Sequence, residues 1–139
     1  MAIQDRAWSM LVPHHAGGAR QARQRLAAEL AALVPPALVA DAVAVAAELL
    51  GNAVRHAAPL PGNVIRLGCR VLTDATGAQV ELRVSDGGSS NVPVEQAAAP
   101  DSVGGRGLAI VAALAGDWGV EREGDGQCVW ARLRVASPS

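Results

Sequence analysis

The spacing of apolar residues along this chain alternates between the period of a strand and that of a helix. Ala7 to Val12 reads as a short strand ending at Pro13. Ala19 to Leu33 carries Ala22, Leu26, Leu30 and Leu33 on one face, with Arg20, Gln21 and Gln24 pointing elsewhere, which predicts an amphipathic helix. Pro35-Pro36 punctuates, and a second helix is predicted from about Ala37 to Ala57, stopped by Pro59 and Pro61. It is apolar nearly all round, as a helix packed against a sheet should be. Val64 to Leu72 and Ala78 to Ser85 predict a hairpin around Thr73 to Gly77. Gly87 to Gly105, at about 19 residues, has no clear period and is long for a connection, which predicts a functional lid. Leu108 to Leu114 reads as an apolar helix ended by Gly116, and Trp118 to Glu123 and Val129 to Val135 as a last strand pair around Gly124 to Gly126. This order predicts an α+β two-layer sandwich in one domain, 1–139.

Composition narrows the picture. With 139 residues a single domain buries roughly 68% of its unfolded surface. A hydrophobic fraction of 50% with 18% charged residues excludes a disordered chain. There is no Phe or Tyr, and only Trp8, Trp118 and Trp130, so the core must be aliphatic. A net charge of -1 argues against direct nucleic-acid binding, which needs a concentrated basic surface. Every basic residue besides histidine is Arg, and a Walker phosphate loop, which requires Lys, is excluded. Cys69 and Cys128 lie in separate strand-like runs and read as small buried hydrophobes. No signal peptide or membrane span is expected: the apolar run from Ala42 to Leu50 is short and interrupted by Glu48. A soluble cytoplasmic protein is the expectation.

Candidate chemistry sits at three places. On the second predicted helix Asp41, Glu48, Asn52 and Arg55 fall within about 60° of one another at about 100° per residue. By itself that is the pattern of a solvated stripe. The four-residue step from Glu48 to Asn52 also puts a carboxylate and a neutral carbonyl oxygen together. The carboxylate can deprotonate an attacking hydroxyl, and the oxygen suits Mg²⁺, which takes few protein ligands. Asp86 closes a strand at Gly87-Gly88, either as a turn residue or as an acceptor for the adenine amino group, with Gly88 letting the base approach. Gly104-Gly105-Arg106-Gly107 before an apolar helix suits phosphate at exposed amides. His14-His15 reads as a solvated loop pair and His56 as structural.

At these residues the chain resembles the Bergerat-fold (GHKL, histidine-kinase-like) ATPases. Ala47 to Ala57, AELLGNAVRHA, resembles their N box; Val84 to Gly88, VSDGG, their G1 box; and Gly105 to Val111, GRGLAIV, their G2 box. Trp118-Gly119-Val120 and Val129-Trp130-Ala131 are similar to the ending of the stand-alone anti-sigma-factor serine/threonine kinase group of actinobacteria. The resemblance implies a mixed, mostly antiparallel sheet covered on one face by three helices, with ATP beneath a mobile lid. It implies Glu48 as general base, Asn52 as Mg²⁺ ligand, and Arg55 and Leu108 as further cofactor-binding positions. It also implies Asp86 as the adenine reader with Gly88 in its turn, and Gly105, Arg106 and Gly107 on the phosphate side. Such proteins bind a sigma factor and phosphorylate a serine or threonine of a STAS-type anti-anti-sigma factor, and a homodimer is common among them. The chain departs from the pattern in two places: Ser89-Ser90 follows the G1 box, and no Arg precedes the G2 glycines. A non-catalytic, ATP-binding partner-switching module therefore stands as the alternative.

Overall fold

The computed structural model describes residues 3–88 and 103–137, and of 103–107 the backbone only. In chain order it contains β1 (Gln4–Pro13), α1 (Ala16–Ala31), α2 (Pro36–His56), β2 (Val64–Asp74), β3 (Gly77–Asp86), α3 (Val103–Leu114), β4 (Asp117–Glu123) and β5 (Gly126–Ala136). The five strands form one sheet in the order β1-β2-β3-β5-β4. Among the described residues every pairing is antiparallel, not mixed as expected. With β4 and β5 forming a hairpin and β5 returning beside β3, each strand here meets its neighbours running the other way.

Several elements start earlier than the apolar pattern indicates. β1 gains Gln4 to Arg6, beyond the apolar stretch, where Arg70 Nε and Nη2 donate to the two carboxylate oxygens of Asp5 at 3.0 and 2.8 Å. α1 begins at Ala16 despite Gly17-Gly18, because His15 caps it: the extended His15 accepts the Gly18 N–H on Nδ1 at 3.0 Å. Gly18 is required there, since a Cβ would lie 2.4 Å from the Pro13 carbonyl oxygen. α2 opens with Pro35 in extended conformation and Pro36 inside its first turn, where a missing N–H costs nothing. α3 begins at Val103, so Gly104, Gly105 and Gly107 lie within the helix rather than in a turn ahead of it. Glycine's low helix propensity hid those first turns. The central part of the predicted lid, 89–102, lies outside the described residues.

The strands bury alternate residues. Ile65, Leu67, Cys69 and Val71 of β2, Val80, Leu82 and Val84 of β3, and Val129, Ala131 and Leu133 of β5 face the helical layer. There they meet Leu26 and Leu30 of α1 and a full face of α2. By length and composition alone α2 could cross a membrane, which the interrupted run at Ala42 to Leu50 did not suggest. Its buried side is that of a core helix packed against a sheet. Both cysteines are free and buried, and burial, helped by the nearby Glu29, pushes the Cys69 thiol up to about 12.

The other face of the sheet is polar. Arg70, Glu81, Arg132 and Asp117 stand opposite one another across β2, β3, β5 and β4, alternating in sign. Arg132 reaches Glu81 at 3.1 Å and Asp117 at 3.6 Å, with its guanidinium 5.2 Å from the Trp130 ring centroid. Exposed pairs of this kind contribute little individually, so they select register more than they stabilise it. Trp8 and Trp118, on the two outer strands, pack partly buried against the core.

The burial pattern yields a stability test. Leu82→Ala, at a fully buried position of β3, should cost about 2–5 kcal/mol in urea denaturation. Leu11→Ala, at a position that is 61% exposed on β1, should change stability by no more than about 0.5 kcal/mol.

Candidate functional site

The polar stripe of α2 is graded. Asp41 and Arg55 are exposed, whereas Glu48 and Asn52 are half-buried at the margin of the face formed by Val45, Leu49 and Ala53. Asp41 is thus a solvated residue. Arg55 folds back along its own helix, with Nη2 donating to Asn52 Oδ1 at 3.3 Å. It lies against Gly51, where a Cβ would meet Nη1 at 2.8 Å. The oxygen assigned to a cation therefore has a guanidinium as its partner in this arrangement.

Asp86 ends β3 and is 2% exposed. Its Oδ1 accepts the Gly88 N–H at 2.7 Å, the Asx-type bond expected of a turn residue. Burial pushes its carboxyl above the usual range; the Gly88 N–H, a hydrogen bond from Gln127 and the nearby His14 oppose the shift, and Glu123 adds to it. Gln127, on β5 directly opposite Asp86, is 4% exposed. The sequence offered no sign of Gln127 beyond a polar residue at the start of a strand, because its role comes from pairing across the sheet.

The turn after Asp86 is enclosed by backbone. Gly88 has φ +102°, and a Cβ there would lie 2.6 Å from the Asp125 carbonyl oxygen. That steric demand comes from the protein's own β4–β5 turn, a reason for glycine distinct from the approach of a base. At Gly87 a Cβ would lie 2.2 Å from the Pro59 carbonyl oxygen. Gly87 N–H donates to Ala58 O at 2.7 Å, and Ala58 N–H donates to Gly88 O at 2.9 Å. The segment leaving α2 is thereby stitched to the end of β3. Helix-borne Glu48 and Asn52 and strand-borne Asp86 are held on one framework by these two bonds.

His14 is not solvated. Its Nε2 lies 3.0 Å from Ala53 O and 2.9 Å from Ala57 O, both acceptors, so the hydrogen belongs on Nε2. Leu108 is 2% exposed in α3. Gly105 and Gly107 are in the first turns of α3, and the side chain of Arg106 lies outside the described residues. Among the described residues no cluster of three His, Cys, Asp or Glu could hold a metal ion. A site with one neutral protein oxygen, Asn52 Oδ1, suits only a cation that keeps most of its ligands from phosphate and water, as Mg²⁺ does.

The model for the histidine kinase-like ATPase domain matches residues 12–133. The chain belongs to that family. Membership implies ATP binding. The fold is similar to that in a crystal structure of the RsbU and RsbW domains of Rv1364c from Mycobacterium tuberculosis, with a TM-score of 0.70 and 20% identity. That likeness covers 96% of this chain but only 34% of the other, so this chain spans about a third of its length. No curated protein matches the sequence.

The raised Asp86 carboxyl has a stability consequence with a definite sign. A native carboxyl titrating above its unfolded value of 3.8 contributes stability that is full below that value and is lost as pH rises through the native one. In ligand-free protein, Asp86→Asn should gain stability relative to wild type as pH rises from about 4 towards 7. Urea denaturation at several pH values checks this, and a difference that shrinks with rising pH would contradict it.

Proposed function

We propose that this protein is an ATP-binding regulator of the anti-sigma type. In this reading it transfers the γ-phosphoryl group of ATP to a serine or threonine of a STAS-type anti-anti-sigma factor, sequesters a sigma factor, and acts in the cytoplasm. The observation that carries the nucleotide part is Asp86, a buried carboxyl at a strand end bonded to its own Gly-Gly turn. A buried polar group of this kind is costly unless partnered, and the adenine amino group would give it a further donor. Family membership supports ATP. The partner assignment is supported by the motif resemblance around Glu48, Asp86 and Trp118, with the solved neighbour as support for fold alone.

In this reading Glu48 accepts the proton of the attacking hydroxyl as its oxygen bonds to the γ-phosphorus and ADP leaves. Asn52 Oδ1 would hold Mg²⁺, which when bound supplies neutralising charge at the phosphates. Arg55 then has to release Asn52, and its guanidinium becomes available to the phosphate side. Arg106, with Gly105 and Gly107 at the start of α3, is proposed to meet the phosphates from the opposite side.

Three variants separate these roles. Asp86→Ala should weaken ATP binding by about 1.5–3 kcal/mol, or about 10- to 150-fold, and wild type should prefer ATP to GTP, which presents a carbonyl where adenine has its amino group. Equal affinity for ATP and GTP by titration calorimetry would remove the adenine assignment. Asn52→Ala should lose the Mg²⁺-dependent part of nucleotide binding. Glu48→Ala should bind ATP but transfer phosphate to a STAS-domain protein about 10²–10⁴-fold more slowly, read with labelled ATP. A wild type that binds ATP and phosphorylates no serine-bearing partner would favour the non-catalytic module.

A further inference from the structure

His14 stands where four parts of the chain meet. It follows the last residue of β1, and its backbone N–H donates to Asn63 O at 3.1 Å, fastening the loop that leads into β2. Its side chain crosses to α2, where Nε2 donates to the carbonyls of Ala53 and Ala57. Ala53 O also accepts the Ala57 N–H at 3.3 Å, the last bond of the helix, whereas the Ala57 carbonyl lies beyond that bond; the imidazole bridges the two as a side-chain cap from elsewhere in the sequence. One residue beyond Ala57, Ala58 makes the two backbone bonds to Gly87 and Gly88. The ring also lies near enough to Asp86 to oppose the upward push of burial on its carboxyl.

We propose that His14 is a positioning residue for the nucleotide site: by clamping the C-terminal turn of α2 it sets where Asn52 stands relative to Asp86. The inference rests on the ATP reading given above. The physical basis is short range. Asn52 is adjacent in sequence to Ala53, one of the two carbonyl acceptors, and Ala58 is adjacent to Ala57, the other. Without the imidazole, Ala57 O turns to water, Ala53 O keeps only its 3.3 Å bond from Ala57 N–H, and the last turn of α2 is freer to fray. Among the described residues, the strand-borne and helix-borne halves of the site are then joined by core packing and by the two backbone bonds of Ala58. A misplacement of about 1 Å between groups that grip one ligand is costly even when each group is intact.

The test compares His14→Ala, His14→Gln and Val71→Ala. Val71 is a fully buried β2 residue outside the proposed site and serves as a control for general destabilisation. Amide exchange is followed at Ala57, Ala58 and Gly87, whose N–H groups donate to Ala53 O, Gly88 O and Ala58 O respectively. ATP affinity is measured under conditions where every variant is folded. In His14→Ala the three amides should exchange faster and the ATP Kd should rise about tenfold, a change of about 1.4 kcal/mol. Val71→Ala should leave the ATP Kd within about twofold. His14→Gln, which keeps a donor, should recover part of both losses. Unchanged protection of the three amides in His14→Ala overturns the clamp. Faster exchange with unchanged ATP affinity overturns its role in the site. A wild type that binds no ATP overturns the nucleotide reading and the purpose assigned to His14 together, and the amide measurements distinguish that failure from loss of the clamp.

Discussion

Seven residues of α2 between Leu38 and Ala53 are buried, and this face can meet the sheet in only one rotational setting. Turning the helix by one residue, about 100°, would bring Leu49 and Leu50 towards water and carry Glu48 inward. Exposing a buried leucine costs about 1.5–3 kcal/mol, and an unpaired buried carboxylate costs several more. The two penalties act in the same direction. The apolar face therefore sets which way Glu48 and Asn52 point, and their half-buried depth is a by-product of core packing.

Most of the fold was legible because it is written in local periods. Alternation marked β2 and β3, and the spacing of Leu26 and Leu30 marked α1. The early starts of α1 and α3 were hidden for a common reason. His15 caps α1 with a ring nitrogen, outside the Ser, Thr, Asp and Asn set that signals a helix start, and glycines in both first turns read as breakers. Strand direction was hidden too, since it depends on which strands become neighbours after the crossover through α3 and not on any residue in them.

The candidate site divides in the same way. Glu48 and Asn52 could be read from a four-residue step and Asp86 from its Gly-Gly turn. Gln127 and His14 could not, because each reaches Asp86 or α2 from a distant part of the sequence: one across a strand pair, the other from the far end of β1. The polar framework of the site is thus assembled by tertiary structure around motif residues that are local. Arg55 illustrates a further limit. Its place on the helical stripe was visible, but its bond to Asn52 Oδ1 makes it a partner of the very oxygen a cation would use.

The scarcity of aromatic residues leaves the molecule with three indoles and no phenol or phenyl ring. Trp8 lies on one outer strand, Trp118 on the other, and Trp130 on the polar face of β5 beside Arg132. The near-ultraviolet signal of this protein is therefore a signal of the sheet's margins and open face, with no chromophore on β2 or β3. Fluorescence will register peeling of an outer strand while the centre, Asp86 included, stays folded, whereas far-ultraviolet dichroism averages over the whole backbone. Where the two disagree, the gap measures how independently the edges move.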